Sequence, residues 1–299
     1  MDTNILLENG TNELEVLEFR VSNNHYGINV AKIREILPYQ EVTHVPNAHP
    51  HVEGIFMPRD EMITVIDLTK SLGYEHSGNY NNDMLIITNF NQLKVAFHVN
   101  EVLGINRVSW AEIIKPDATL NSKDGGTATG VIKVNGKLVI ILDFEKIVTD
   151  ISPETGLKVS DIDRLGIREK NTTPILIAED SHLLSKLLVE SLHKAGYSNT
   201  IVKDNGQEAW DFLLEVKEND EVDEKVKCII TDIEMPLMDG HRLTRLVKND
   251  DRLKGIPLVI FSSLINDEMR RKGIALGADA QLSKPEIGGL VEIIDKLIK

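Results

Sequence analysis

From Pro174 onward the sequence alternates five short apolar runs with longer amphipathic ones, and few folds tolerate that alternation. The runs at 175–178, 200–202, 228–231, 258–261 and 280–282 have strand length. Helical stretches lie between and after them. In the first, Leu184, Leu187, Leu188, Leu192 and Ala195 fall on one apolar stripe, and Gly196 stands where a helix C-terminus needs a left-handed residue. The last helix carries Leu290, Ile293, Ile294 and Leu297 on one face. Repeated βα units imply a parallel sheet covered on both sides, a doubly wound α/β fold. In such a fold the functional groups gather at the carboxyl ends of the strands.

Four of those strand ends carry chemistry. Glu179 and Asp180 follow the first strand, Asp232 the third, Ser262 and Ser263 the fourth, and Lys284 with Pro285 the fifth. Three carboxylates forced together repel one another and hold protons. A hard divalent cation removes that conflict, and Mg2+ takes oxygen ligands and serves phosphoryl transfer. Lys284 then neutralises phosphoryl oxygens and Ser262 donates to them. Asp232 is the candidate nucleophile, since a carboxylate can form an aspartyl-phosphate. Behind it the chain turns sharply through Met235-Pro236-Leu237-Met238-Asp239-Gly240. Any one of these acids alone reads as a helix cap; capping does not account for all four strand ends. Asp180-Ser181-His182 is no hydrolytic triad, because three consecutive residues cannot take up triad geometry without strain.

These residues resemble the response-regulator receiver family over 175–299, through Glu179-Asp180, the run from Thr231 to Gly240, Ser262 and Lys284-Pro285. The resemblance implies a flavodoxin-like (βα)5 fold in which Asp232 accepts a phosphoryl group from a histidine kinase. It implies Asp180 and Asp232 as direct Mg2+ ligands, Glu179 as a ligand through water, and the backbone carbonyl of Glu234 completing the set. Ser262 and Lys284 would contact the phosphoryl group. Two positions depart from the pattern. Gln281 stands where the family usually has an aromatic switch residue, so ring rotation is not available as an output step. Glu234 puts a carboxylate two residues beyond the nucleophile, where it obstructs or repels attacking water, so loss of phosphate is expected to be slow. An acidic stretch at 218–227 reads as a solvated loop.

Before Thr149 the texture is different: many short strands and few helices. Leu14-Glu15-Val16-Leu17-Glu18-Phe19 alternates, as do stretches at 63–68, 84–88 and 95–99. Asn135-Gly136 sits at the tip of a hairpin spanning 130–142, where both residues tolerate positive φ. His44, His49 and His51 surround two prolines in a loop with nothing regular to orient metal ligands, and Gly125-Gly126 is a turn. His98 alternates with apolar neighbours and reads as an ordinary pleat residue.

Over about 12–148 this part resembles the CheW-like coupling domain, through Val45-Pro46, the run from Val52 to Leu68, Val102-Leu103-Gly104 and Gly130-Val131-Ile132. The resemblance implies two small SH3-like barrels that bind the histidine kinase CheA and methyl-accepting chemoreceptors. Arg59 matches a contact position, although the usual glycine after it is Asp60. The expected organisation is therefore a coupling domain at 12–149, a linker at 150–173 with a short helix over 159–167, and a receiver at 174–299. Together the halves resemble coupling proteins of the CheV type.

Composition narrows the function further. A formal net charge of -14 repels nucleic-acid backbones and anionic lipid. The densest basic run, Arg270-Arg271-Lys272, is three residues on an expected helix face. One cysteine, Cys228, excludes an intrachain disulfide framework. Residues 1–10 lack the pattern of a signal peptide, and no apolar run reaches the ~18 residues of a membrane span. The expectation is a cytoplasmic, array-associated adaptor regulated through Asp232. The alternative is a constitutive scaffold with a docking-only receiver, favoured by Gln281 and Glu234. A haloacid-dehalogenase-like phosphatase also uses aspartate and Mg2+, but its DxD-type motif is missing after the first strand.

Overall fold

A computed structural model describes residues 13–75, 82–90, 93–114, 126–153, 168–265, 267–284 and 286–298. The expected helix at 159–167 and the sequence positions 1–10, Gly125 and Pro285 lie outside the described residues. The chain forms two compact units, one built mainly on 14–108 and 113–155, the other mainly on 156–299.

The N-terminal unit is all-β. Its strands are β1 (Glu13–Val21), β2 (Asn24–Asn29), β3 (Ile33–Pro38), β4 (Val52–Phe56), β5 (Ile63–Asp67), β6 (Met84–Phe90), β7 (Leu93–Val99), β8 (Glu101–Ser109), β9 (Ala128–Val134) and β10 (Lys137–Leu142). They form two five-stranded sheets, ordered β8-β1-β2-β10-β9 and β3-β6-β7-β5-β4. The β9–β10 hairpin turns as its dipeptide requires, with φ of 48° at Asn135 and 82° at Gly136. Two helices interrupt the strands, α1 (Leu68–Ser71) and α2 (Phe144–Ile151), capped by Asp67 and Asp143. Strand alternation explains the core. Ile66, Ile86 and Phe97 face one cluster with Phe19, Tyr26 and Phe144, while Val65, Leu85, Ile87 and Ala96 face another. Phe144 meets Phe97 edge to face, with ring centroids 4.6 Å apart.

The C-terminal unit is the expected doubly wound α/β fold. Its strands are β11 (Ile175–Ala178), β12 (Thr200–Lys203), β13 (Cys228–Thr231), β14 (Leu258–Ser262) and β15 (Ala280–Ser283), all parallel and ordered β12-β11-β13-β14-β15. The helices are α3 (His182–Lys194), α4 (Gly206–Glu218), α5 (Val222–Lys225), α6 (Gly240–Asn249), α7 (Asp267–Ala275) and α8 (Ile287–Leu297). Strand order reverses between β11 and β13, which fixes the crevice where such sheets bind ligands. β11 and β13 are buried along their whole length, because helices cover both faces. Gly196 closes α3 with φ 97°, as the helix-stop reading requires.

Two sequence readings need correction. The stretch 218–227 is not a solvated loop: it ends α4 and forms α5, with Val222 and Val226 buried. Counting its charges hid two valines four residues apart, which is the spacing of one helix face. The apolar face of α8 is also rotated from the expected one. Ile287, Leu290, Val291 and Ile294 are fully buried, while Ile293 and Leu297 are only half-buried.

Candidate acidic site at the sheet edge

The reversal of strand order brings the end of β11 beside the end of β13. Glu179 and Asp180 therefore meet Asp232, and ligand oxygens of the three lie within 4.8 Å of one another. Lys284, just beyond β15, reaches across: its Nζ is 2.6 Å from Asp232 Oδ2 and 3.1 Å from Glu179 Oε2. Glu179, Asp232 and Lys284 are all buried, and Asp180 is half-buried. The geometry thus joins four of the residues singled out from sequence.

The backbone around them is held as tightly. Asp232 Oδ1 accepts from the N–H of Ile233 at 2.6 Å, and Glu179 Oε1 accepts from the N–H of Ser181 at 3.2 Å. Ser181 caps α3 by accepting from the N–H of Leu184. Ser262, fully buried, ends β14 on the strand next to β13, and its Oγ accepts from the N–H of Leu264. Glu234 is half-buried two residues past Asp232. The turn behind Asp232 places Leu237 at φ 65° and uses the buried Asp239 as the cap of α6, its Oδ1 accepting from the N–H of Arg242 at 2.6 Å. Gly240 packs so closely that a Cβ there would fall on the carbonyl oxygen of Asp232.

Electrostatically the cluster is unbalanced. Burial pushes the Glu179 carboxyl well above its usual range; Lys284 opposes this, and the charges of Asp232 and Asp180 add to it. The single ammonium of Lys284 does not offset burial and two neighbouring carboxylates. The donor set is all oxygen, compact and reached from strand ends, which fits a hard divalent cation such as Mg2+.

Gln281 lies on β15 with its side chain against α7. Its Nε2 donates to the Arg270 carbonyl at 2.8 Å, and its Oε1 is buried with no partner among the described residues. A Cβ on Gly273 of α7 would strike this amide. Packing therefore holds Gln281 against α7, at the position where the sequence lacks an aromatic residue.

In the N-terminal unit, Arg59 lies in the turn between β4 and β5, its side chain 76% exposed and bonded to Glu35 at 2.9 Å. Both Arg59 and Asp60 adopt positive φ, 53° and 64°, so the turn keeps a conformation that glycine would take freely. His98 departs from the sequence reading. It is buried, with Nδ1 2.8 Å from Glu53 Oε2 and Nε2 2.8 Å from Asp83 Oδ2, and Tyr39 stacks on its ring at 4.3 Å. Tyr39 also donates to Glu53. Alternation along β7 hid this because the partners come from β4 and from the residue just before β6. His49 and His51 stack edge to face, and no metal-ligand cluster includes them among the described residues.

Comparison with known proteins agrees with both halves. Residues 15–152 match the model of the CheW-like domain, and residues 175–295 match that of the response regulator receiver domain. The chemotaxis protein CheV3 of Helicobacter pylori is 30% identical, the match covering 96% of this chain and 95% of that protein. The chemotaxis protein CheW of Thermotoga maritima is 29% identical across 50% of this chain and 98% of its own length. Among solved structures, the scaffolding protein TtCheW of Thermoanaerobacter tengcongensis aligns at 22% identity with a TM-score of 0.41, covering 45% of this chain and 86% of that one. With a CheW-like domain followed by a receiver, and a match running nearly end to end, the chain belongs to the CheV family of chemotaxis proteins.

Proposed function

We propose that this protein is a chemotaxis adaptor regulated by phosphorylation. The domain at 12–149 couples methyl-accepting chemoreceptors to the histidine kinase CheA, with Arg59 at a partner contact. The linker at 150–173 joins it to a receiver at 174–299 that takes a phosphoryl group on Asp232. The protein works in the cytoplasm at receptor arrays. The observation that carries this reading is Asp232 within 4.8 Å of two further carboxylates and 2.6 Å from Lys284.

The chemistry follows from those neighbours. An Asp232 carboxylate oxygen attacks the phosphorus of a phosphohistidine; a P–O bond forms, the P–N bond breaks, and the imidazole leaves. Asp180, Asp232, Glu179 and the backbone carbonyl of Glu234 would hold Mg2+, which when bound supplies charge neutralisation for the carboxylates and the incoming phosphoryl oxygens. Lys284 and Ser262 then meet those oxygens. New charge on Asp232 changes which groups Lys284 can pair with, and so reaches the rest of the receiver.

Incubation with phosphorylated CheA and Mg2+ tests the reading. Label should pass to the wild type and not to Asp232→Ala. Label that never reaches the wild type, or reaches both equally, overturns it. The packing of Gln281 against α7 favours a second reading, a constitutive scaffold whose receiver only docks. It requires that Asp232→Ala leave signalling unchanged.

A further inference from the structure

The receiver has a second cluster of charge at the opposite, amino-terminal end of its sheet, and α8 runs between the two. The chain passes from Lys284 to α8 within three residues, and the residues on either side of 285 are held by backbone bonds. Lys284 N–H donates to the Ser262 carbonyl and Glu286 N–H to the Ser283 carbonyl. α8 then spans about 16 Å at ~1.5 Å per residue. Ile287, Leu290, Val291 and Ile294 are fully buried along it, so a strain at its start is passed into a close-packed core.

Near its far end stands Asp295. One oxygen, Oδ1, accepts from both Arg168 Nη2 and the Tyr197 hydroxyl, the latter at 2.6 Å. Arg168 Nε also donates to the Ala195 carbonyl at the end of α3, at 2.7 Å. Arg168 belongs to the segment entering the receiver, so a single guanidinium ties that segment to two helices. Gly196 is shaped for it: a Cβ there would collide with the Glu169 carbonyl. Three residues on, Asn171 is held separately, its N–H donating to the Gly196 carbonyl and its own carbonyl accepting from Ser198.

We infer that Arg168 and Asp295 form a latch on the linker that phosphorylation of Asp232 loosens through Lys284 and α8. The inference rests on the phosphoacceptor role proposed above. A phosphoryl group on Asp232 removes the carboxylate oxygen that Lys284 holds at 2.6 Å and offers it new ones. Moving Lys284 moves the stem of α8, and Asp295 with it. Arg168 cannot follow freely, since Ala195 and Gly196 anchor it to α3. The Arg168–Asp295 contact yields while the Asn171 bridge stays. This route does not pass through Gln281, so it needs no aromatic relay.

The test is limited trypsin digestion of the full chain, with and without Mg2+ and acetyl phosphate, with intact mass reporting phosphorylation. Trypsin needs a free guanidinium, so phosphorylation should speed cleavage after Arg168 by up to about fivefold, the worth of one half-exposed ion pair. Asp295→Asn should show the faster cleavage already, change no further, and still take up phosphate. A phosphorylated wild type with unchanged cleavage after Arg168 overturns the latch and leaves the phosphoacceptor standing. Failure of the wild type to gain phosphate while a known receiver gains it in the same buffer overturns both.

Discussion

Gly240 lies against the backbone carbonyl of Asp232 with no room for a methyl group between them. The start of α6 and the candidate nucleophile therefore share one position, and neither can move alone. Gly240→Ala must push Asp232 out of line or lift α6. Overpacking of this kind costs about 1–3 kcal/mol. Urea denaturation should show that loss, and phosphorylation of the variant should slow even where it stays folded.

Lys284 supplies positive charge to two buried carboxylates. Lys284→Ala leaves them facing each other, and removing one partner of a buried pair typically costs about 3–5 kcal/mol. In metal-free buffer the melting temperature should fall sharply. Mg2+ should raise it more for the variant than for the wild type, because binding then relieves repulsion without displacing an ammonium. Equal Mg2+ shifts would count against the carboxylate cluster as the metal site.

Glu234 sits half-buried beside the site. If Asp232 carries a phosphoryl group as proposed, this carboxylate would repel the water that hydrolyses it. Purified phosphoprotein should therefore lose label slowly, and Glu234→Ala should speed the loss. Rapid loss in the wild type, unaffected by the substitution, would remove this role.

At the β4–β5 turn the conformational question can be answered by one substitution. Asp60 at φ 64° carries the left-handed penalty of a residue with Cβ, about 1–2 kcal/mol. Glycine removes it but adds freedom to the unfolded chain. Asp60→Gly should stabilise by up to about 1 kcal/mol, seen as a higher denaturation midpoint at unchanged slope.

His98 gives the N-terminal unit a pH dependence. Burial opposes its charge, but hydrogen bonds and charge from Glu53 and Asp83 outweigh that and hold its pKa above the ordinary value. Burial likewise opposes the Glu53 carboxylate, and His98 and Tyr39 hold it low. The sign for a raised histidine is fixed. Its stabilisation is complete below the unfolded pKa of ~6.5 and fades as pH rises through the higher folded value. For Glu53 it is present above the unfolded carboxylate range and fades only as pH falls through the lowered folded pKa. Stability of the wild type should therefore decline from neutral toward alkaline pH, and His98→Gln should flatten that slope. An unchanged slope would remove His98 as its source.

The receiver was legible because its chemistry sits at strand ends. Once βα alternation places Glu179, Asp180, Asp232 and Lys284 on one edge, the site follows from topology. What stayed hidden depended on packing across distance. The pairing of Lys284 with Glu179 spans two intervening strands, and the Glu53–His98–Asp83 group joins β4, β7 and the residue before β6 in a sheet whose order is not sequential. Periodicity reports which face a residue occupies, not which partner waits there. The same limit rotated the apolar face of α8 and hid Val222 and Val226.

Lys284 acts as a built-in counter-ion, and that makes the site an exchange rather than a vacancy to be filled. A divalent ion must outbid an ammonium already seated on Asp232, and a phosphoryl group gives that ammonium somewhere to go. In the proposed role, metal and phosphoryl group would help each other bind by sharing the cost of one displaced lysine. Their affinities are coupled by the same factor in both directions. If Asp232 is the phosphoacceptor proposed above, a receiver assembled this way would stay discharged with either ligand alone and commit only when both arrive.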